Sequence, residues 1–140
     1  MKIMVCGSIT FSKQMIEAGE KLEKLGHTVL LPPDVDIHLE NADLIDDLEA
    51  DLKHCIETDV LRKSLKQIES ADALLILNFP KNGINGYIGT SSLMELAIAY
   101  HFGKKLYLLN EIPSSSEARW AHEIRIMQPI ILNGDLAKII

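Results

Sequence analysis

Five short apolar runs are the feature that most limits the folds open to this chain. The runs are Lys2–Cys6, Thr28–Leu31, Ala73–Leu77, Leu106–Leu109 and Pro129–Leu132. They are continuous rather than alternating, which is typical of strands buried on both faces of a parallel sheet. Segments with helical periodicity lie between them. Strands that alternate with helices predict an α/β fold.

Four apolar stripes with helical spacing and one further segment predict five helices. They are Met15, Ala18, Leu22 and Leu25; Leu44, Ile45, Leu48, Leu52, Cys55 and Ile56; Val60, Leu61, Leu65 and Ile68; Leu93, Leu96, Ala97 and Tyr100; and residues 117–127. Glycines that favour helix ends follow the first and fourth stripes. With right-handed crossovers, this spacing fits a flavodoxin-like (Rossmann-like) three-layer sandwich with a five-stranded parallel sheet in the order 2-1-3-4-5.

Length and composition predict a single domain over residues 1–140, whose hydrophobic core needs neither a disulfide nor a metal for stability. The chain is 47% hydrophobic and has two cysteines, too few for a disulfide framework. We expect no metal and no cofactor, because no Cys/His spacing suggests zinc. No apolar run approaches the length that spans a bilayer, and no signal peptide is evident, so we expect no membrane association and a cytoplasmic location.

The charge is concentrated in one segment. Residues 34–59 hold ten acidic residues and one basic residue, so their net charge is −9, and the other residues together carry +3 of the chain's −6. The overall charge argues against nucleic acid as a partner. The mildly basic remainder can still bind an anionic small molecule. The acidic run itself is typical of a solvated helix face, with an interaction surface for another protein as a minor alternative.

Two loops are placed where ligands bind in such folds. In a doubly wound sheet the binding crevice lies outside the carboxyl ends of the strands, where the strand order reverses. That position corresponds here to the loops that follow the first and third strands, residues 7–12 and 78–92. We therefore expect the binding site to lie between these two loops.

The first loop opens with Gly7, Ser8 and Ile9. A glycine lets a ligand approach the backbone, and a hydroxyl with free amides at a helix N-terminus suits phosphate or a sugar hydroxyl. The sequence is neither a Walker motif nor a full dinucleotide fingerprint. The alternative is a tight strand-to-helix turn in which Ser12 is the N-cap.

The second loop carries Gly89, Thr90, Ser91 and Ser92 into a helix that contains Glu95. The hydroxyls and amides could hold an anion or a ribose, and Glu95 would lean back toward them. An ionised carboxylate beside a sugar is what covalent glycoside chemistry requires. The alternative is structural, because Ser92 and Glu95 have the spacing of a capping box.

Single polar residues elsewhere are weaker candidates for a functional role. Asn78 ends the third strand and is a candidate for contact with the ligand, whereas Asp72 opens that strand and is interpreted as structural. His54 and His122 are each interpreted as surface or capping residues.

The order of these motifs resembles a known family. The turn at residues 6–9 looks like the opening of the 2′-deoxynucleoside 5′-phosphate N-hydrolases, and residues 94–104 are similar to the signature helix of the nucleoside 2-deoxyribosyltransferases. The run 68–72 before a strand matches both. The resemblance implies that Glu95 is a nucleophile that attacks the anomeric carbon of a nucleoside or nucleotide. It also implies a homodimer or higher homo-oligomer.

The chain departs from that family at its acids. Ser64 and Gly89 stand where the family has aspartates, so the acid that protonates the leaving base is not assigned. Asp34, Asp36, Asp59 or a neighbouring subunit could supply it.

Two functional hypotheses follow. One is cleavage or transfer at the N-glycosidic bond through a glycosyl-Glu95 intermediate, by hydrolysis or by exchange of the base. The other is a non-catalytic module that binds a nucleotide in the same pocket.

Overall fold

A computed structural model describes residues 1–41 and 46–140. Within them the strands are β1 (Lys2–Cys6), β2 (Thr28–Leu30), β3 (Ala73–Ile76), β4 (Lys105–Leu108) and β5 (Ile130–Ile131). The helices are α1 (Ser12–Lys24), α2 (Val35–Glu40), α3 (Leu48–Thr58), α4 (Val60–Ser70), α5 (Thr90–His101) and α6 (Trp120–Met127), with 3-10 turns at Ile9–Phe11 and Leu136–Lys138. Each predicted apolar run coincides with a strand, and no strand end differs by more than one residue.

The five strands form one parallel sheet in the order β2-β1-β3-β4-β5. This confirms the predicted flavodoxin-like α/β fold and its strand order. The order reverses between β1 and β3, where the pairs run from Ile3 with Ala73 to Cys6 with Ile76. The carboxyl ends of these two neighbouring strands therefore lie side by side and leave a crevice between the loops that follow them.

Two apolar layers cover the sheet. Alternate residues of each strand point to opposite faces, so Ile3 and Val5 pack with α1 while Met4 and Cys6 pack with α5 and α6. The α1 layer includes Met15 and Leu22, as the first stripe predicts. The other layer also includes Ile68, from the third stripe. This arrangement confirms the three-layer sandwich.

Two stripes differ from the prediction. The buried face of α5 consists of Ser92, Glu95, Leu96 and Ala99, one residue away from the predicted stripe, because a serine and a glutamate occupy inward positions. On α3 no residue is fully buried, and Leu48, Leu52 and Ile56 are exposed. The described part of the second stripe therefore does not pack on the sheet. Leu44 and Ile45 lie outside the described residues.

The loop between β3 and α5 is fixed by a close backbone contact at Gly86. This residue has a φ of +70°, and an added Cβ would collide with the carbonyl oxygen of Glu111. Gly83 in the same loop has a φ of +73° with open space around it. Both glycines therefore have a left-handed backbone that strains any other residue, but only Gly86 is packed closely against another part of the chain.

We expect Gly86→Ala to destabilise the fold by about 2 kcal/mol or more beyond Gly83→Ala. Both variants force an alanine into a left-handed conformation, but only the first must also move the chain at Glu111. Chemical denaturation of the two variants measures the difference. Equal loss of stability in both would contradict the close contact.

Candidate active site

A cavity of about 470 Å³ opens at the carboxyl ends of β1 and β3. It is lined by residues from the β1 loop, α2, α3, α4 and the loop that leads into α5. The predicted site residues that line it are Gly7, Ser8, Ile9, Gly89, Thr90, Ser91, Ser92 and Glu95. The volume suits a small-molecule ligand. The two loops that the sequence singles out thus meet at one site.

Glu95 occupies an unusual position for a carboxylate. It lies on the inward face of α5 with 8% of its surface exposed, and its Oε2 atom has no hydrogen-bond partner among the described residues. Buried polar atoms are normally paired, so an unpaired oxygen in a cavity wall needs an explanation. A carboxyl whose free oxygen contacts a ligand in the cavity would explain it.

The capping-box alternative for Glu95 is not what the structure has. The helix begins at Thr90 with Gly89 at its N-cap, and no side chain caps it. Ser92 is therefore the third residue of the helix rather than its N-cap, and no hydrogen bond joins its amide to the Glu95 side chain among the described residues.

Burial raises the pKa of the Glu95 carboxyl from 4.5 to about 7. A hydrogen bond from the Cys6 thiol lowers the pKa in part, and the charge of Asp34 raises it further. Cys6 ends β1 and also lines the cavity. The carboxyl therefore changes its charge near neutral pH, which suits a group that must be ionised in one step and relieved of charge in another.

Lys81, from the loop between β3 and α5, places a positive charge against the β1 loop. Lys81 Nζ donates a hydrogen bond of 2.7 Å to Ser8 Oγ, and the Ser8 and Thr10 hydroxyls lie 2.8 Å apart. The lysine Nζ also lies 5.8 Å from the ring centroid of Tyr87, another cavity residue. Lys81 is the one Lys or Arg among the described residues that line the cavity. Sequence reasoning missed it because nothing local marks it.

The turn after β1 differs from the prediction at Ser12 but not at Gly7. Ser12 is the first residue of α1 rather than its N-cap, and its hydroxyl donates to the Ile9 carbonyl oxygen at 2.6 Å. Gly7 faces the cavity, and an added Cβ there would lie 3.1 Å from the Leu77 carbonyl oxygen. The glycine therefore serves the packing of β1 against the β3 end as well as any ligand.

Asn78, which the sequence predicts to contact the ligand, does not line the cavity. The residue is fully buried. Its side-chain amide donates to the Asn110 carbonyl oxygen at 2.7 Å, and its side-chain oxygen accepts from the Asn110 amide at 2.8 Å. These bonds tie the ends of β3 and β4 together. Asp72 is structural as expected, since it accepts a bond of 2.7 Å from the Lys2 amide.

The acidic segment contributes part of the cavity wall. Asp34, His38, Asp51 and Cys55 all line it, and His54 lies behind Asp34. No local pattern places His54 here. Of the two interpretations, surface or capping residue, the first is wrong because the ring is mostly buried. Within the described residues, no group of three or more His, Cys, Asp or Glu side chains has an arrangement that could hold a metal ion.

None of the described helices is long and apolar enough to span a membrane. No protein-family model matches the chain, and no curated protein matches it in sequence. Among solved structures it is similar to that of the CMP N-glycosidase BcmB from Clostridium botulinum, with 17% identity and a TM-score of 0.47. The match covers 94% of this chain and 88% of that one. A likeness at this level carries no argument about activity, and the fold stands on its strand order and register.

Proposed function

We propose that the protein cleaves the N-glycosidic bond of a nucleoside 5′-monophosphate, with Glu95 as the nucleophile. The observation that carries the proposal is the Glu95 carboxyl, which is buried in the wall of a ligand-sized cavity with one oxygen unpaired among the described residues. A structural carboxylate would have its oxygens bonded. The unpaired Glu95 oxygen is explained if a reacting atom of the substrate takes the place of the missing hydrogen-bond partner.

The reaction proceeds in two displacements. A Glu95 oxygen bonds to the anomeric carbon while the electron pair of the C–N bond leaves with the base, which takes up a proton. Water then bonds to the same carbon, loses a proton, and returns the electron pair to Glu95. When a second base replaces water, the same intermediate gives exchange rather than hydrolysis. Each displacement inverts the anomeric carbon, so the product retains its configuration.

Burial of Glu95 supports the nucleophilic role. A carboxylate removed from water has little hydration to lose when it attacks, and its negative charge disappears when the ester forms. The Cys6 thiol, which donates to the carboxylate, offsets part of the penalty for the charged form. The site thus favours the step that discharges Glu95 while still allowing the ionised state.

The preference for a 5′-phosphate rests on the wall around Lys81. An ammonium group, two hydroxyls and the N-terminal turn of α5 suit a phosphate, because each offers hydrogen-bond donors to an anion. Lys81 has no carboxylate partner in an ion pair among the described residues, so its charge is available to a ligand.

We expect Lys81→Met to raise KM for a 5′-monophosphate by roughly 10- to 100-fold, the value of a hydrogen bond to a charged group. The same change has little effect on the corresponding nucleoside, which has no phosphate to lose. Steady-state kinetics on both substrates measure the difference, with Lys66→Met as the control on an exposed lysine away from the cavity. An equal effect on both substrates would contradict a phosphate role.

The experiment that tests the proposal is a chromatographic assay of base release. The protein is incubated with the common ribonucleoside and deoxyribonucleoside 5′-monophosphates and their nucleosides, with and without an added free base. Release of base, or formation of a new nucleoside, is expected from at least one monophosphate. No product from any of them at substrate-level protein concentration would overturn it.

The second candidate is a module that binds a nucleotide without cleaving it. It is favoured by Ser64, which lines the cavity where the resembling family has an aspartate. In that case a nucleotide shifts the melting temperature and is recovered intact. The same assay therefore separates the two functions.

A further inference from the structure

Asp34 lies between two histidines at the edge of the cavity. Its Oδ2 atom is 3.4 Å from His38 Nδ1 and 3.7 Å from His54 Nε2. His38 follows it by one turn on α2, whereas His54 comes from α3. Asp34 is at the N-cap of α2, yet its side chain does not cap the helix. The Asp34 carboxyl therefore does not make the helix-capping hydrogen bond that its N-cap position would suggest.

A second carboxylate extends the cluster. His38 Nδ1 is 3.0 Å from the Asp34 carbonyl oxygen, and its Nε2 atom is 3.6 Å from Asp51 Oδ1. His38 is only 3% exposed. The Nε2 atoms of His38 and His54 are buried without a hydrogen bond to any described residue. Distances of 3.4 to 3.7 Å lie just beyond hydrogen bonds, a common state of catalytic contacts before a ligand tightens them.

We infer that Asp34 is the acid and base of the reaction and that His38 and His54 are its positioning residues. The inference rests on the proposed function and supplies the proton donor that Ser64 and Gly89 cannot provide. Asp34 and Glu95 line the same cavity. A carboxyl in contact with two imidazoles can exchange a proton with them and with a leaving group in the cavity.

The other acids of the segment fit the role less well. Asp36 is exposed on α2 and does not line the cavity. Asp59 is also largely exposed, and its Oδ2 atom pairs with Arg62 Nε at 3.1 Å. Asp51 is more exposed than Asp34 and reaches the cluster only through His38.

The proton balance closes with one water per cycle. Protonated Asp34 gives its proton to the base as the C–N bond breaks and the bond from Glu95 to the anomeric carbon forms. The Asp34 carboxylate then takes a proton from water as the water oxygen bonds to that carbon and the Glu95 ester breaks. Asp34 is again an acid, Glu95 is again a carboxylate, and the products are the free base and the sugar phosphate.

Asp34 can exchange a proton only with the titratable groups that surround it at the cavity. They are His38 on α2; Asp51, His54 and Cys55 on α3; Cys6 on β1; and Glu95 on α5. Two of these are imidazoles that can share the proton through Oδ2. The group that donates the proton to the leaving base sets the falling limb of the pH profile.

The test compares two leaving groups. The substrates are the monophosphate with the fastest base release and a 4-nitrophenyl furanoside 5-phosphate with the same sugar, whose nitrophenolate leaves without a proton. We expect Asp34→Asn to lower kcat on the nucleotide by roughly 10²- to 10⁴-fold. On the nitrophenyl substrate it should give a rapid burst of one nitrophenolate per site and then slow turnover, which azide restores. Asp36→Asn is the matched control.

The histidines are tested by a pH profile. We expect His54→Gln to move the falling limb of kcat/KM on the nucleotide and to lower kcat with little change in KM. A merely structural histidine would lower the melting temperature and leave the limb in place. An unchanged limb in His54→Gln overturns the positioning role, and it does so even when Asp34→Asn does not fold.

The outcomes separate the two proposals. Base release that is lost in Glu95→Gln but untouched in Asp34→Asn overturns the inference alone. Loss of the nitrophenolate burst together with base release in Asp34→Asn also overturns it, because that pattern reports binding or folding. No base release by the wild-type protein overturns the proposed function, and the inference falls with it.

Discussion

Glu95→Gln is expected to abolish base release while the fold survives. Glutamine has nearly the same shape as glutamate, so the packing of α5 against the sheet is kept. The amide lacks the charge and the nucleophilic oxygen, so we expect kcat to fall on the order of 10⁴-fold or more. Chromatography of the products from the monophosphate panel measures the loss.

A matched control separates this effect from a general loss of charge. Glu69→Gln alters an exposed glutamate on α4, away from the cavity, and should leave turnover unchanged. Mass spectrometry of the wild-type protein after rapid quenching should find a glycosyl group on Glu95. Turnover of Glu95→Gln within tenfold of the wild type would contradict the nucleophilic role.

The second large effect of Glu95→Gln is on stability. The change that removes activity should raise the free energy of unfolding above neutral pH. The pKa of Glu95 rises from 4.5 to about 7 on folding, so the folded protein holds this proton more tightly than the unfolded chain. The favourable contribution of the protonated group is complete below about 4.5 and is lost as the pH rises to about 7. Above that pH, the ionised carboxylate costs the fold roughly 3 kcal/mol.

We therefore expect Glu95→Gln to be more stable than the wild type at pH 8 and nearly equal to it at pH 5. Chemical denaturation of both proteins at the two pH values measures the difference. The control Glu69→Gln should show no such pH dependence. A gap in stability that stays constant between pH 5 and pH 8 would contradict the raised pKa of Glu95.

The fold was predictable from the sequence because its strands are short, continuous and apolar. The runs that became β1 and β3 needed no long-range information, since burial on both faces leaves a strand no polar positions. The face of α5 was misplaced by one residue for the complementary reason. Ser92 and Glu95 point inward, and a stripe defined by apolar residues alone has to pass them by.

The candidate site was predictable only where its residues adjoin β1 or open α5. Gly7 and Glu95 sit beside recognisable elements, so their place at the strand ends follows from topology. Lys81 and Asp34 meet them only after the chain has folded, across contacts that no local pattern encodes. Asn78 lies outside the cavity lining because a polar residue at a strand end can equally satisfy backbone groups, as it does with Asn110.

The Cys6 thiol beside Glu95 has a consequence for covalent inhibitors. Burial raises the pKa of this thiol well above its usual value, and the neighbouring Glu95 charge and hydrogen bond raise it further. The sulfur therefore stays protonated and is a poor nucleophile, although it lines the same cavity. An electrophilic sugar phosphate, such as a 2-fluoro glycosyl donor, would label the carboxylate in preference to the cysteine. If Glu95 is the nucleophile, the cavity combines a reactive oxygen with an inert sulfur, and such a reagent would inactivate the protein through the carboxylate alone.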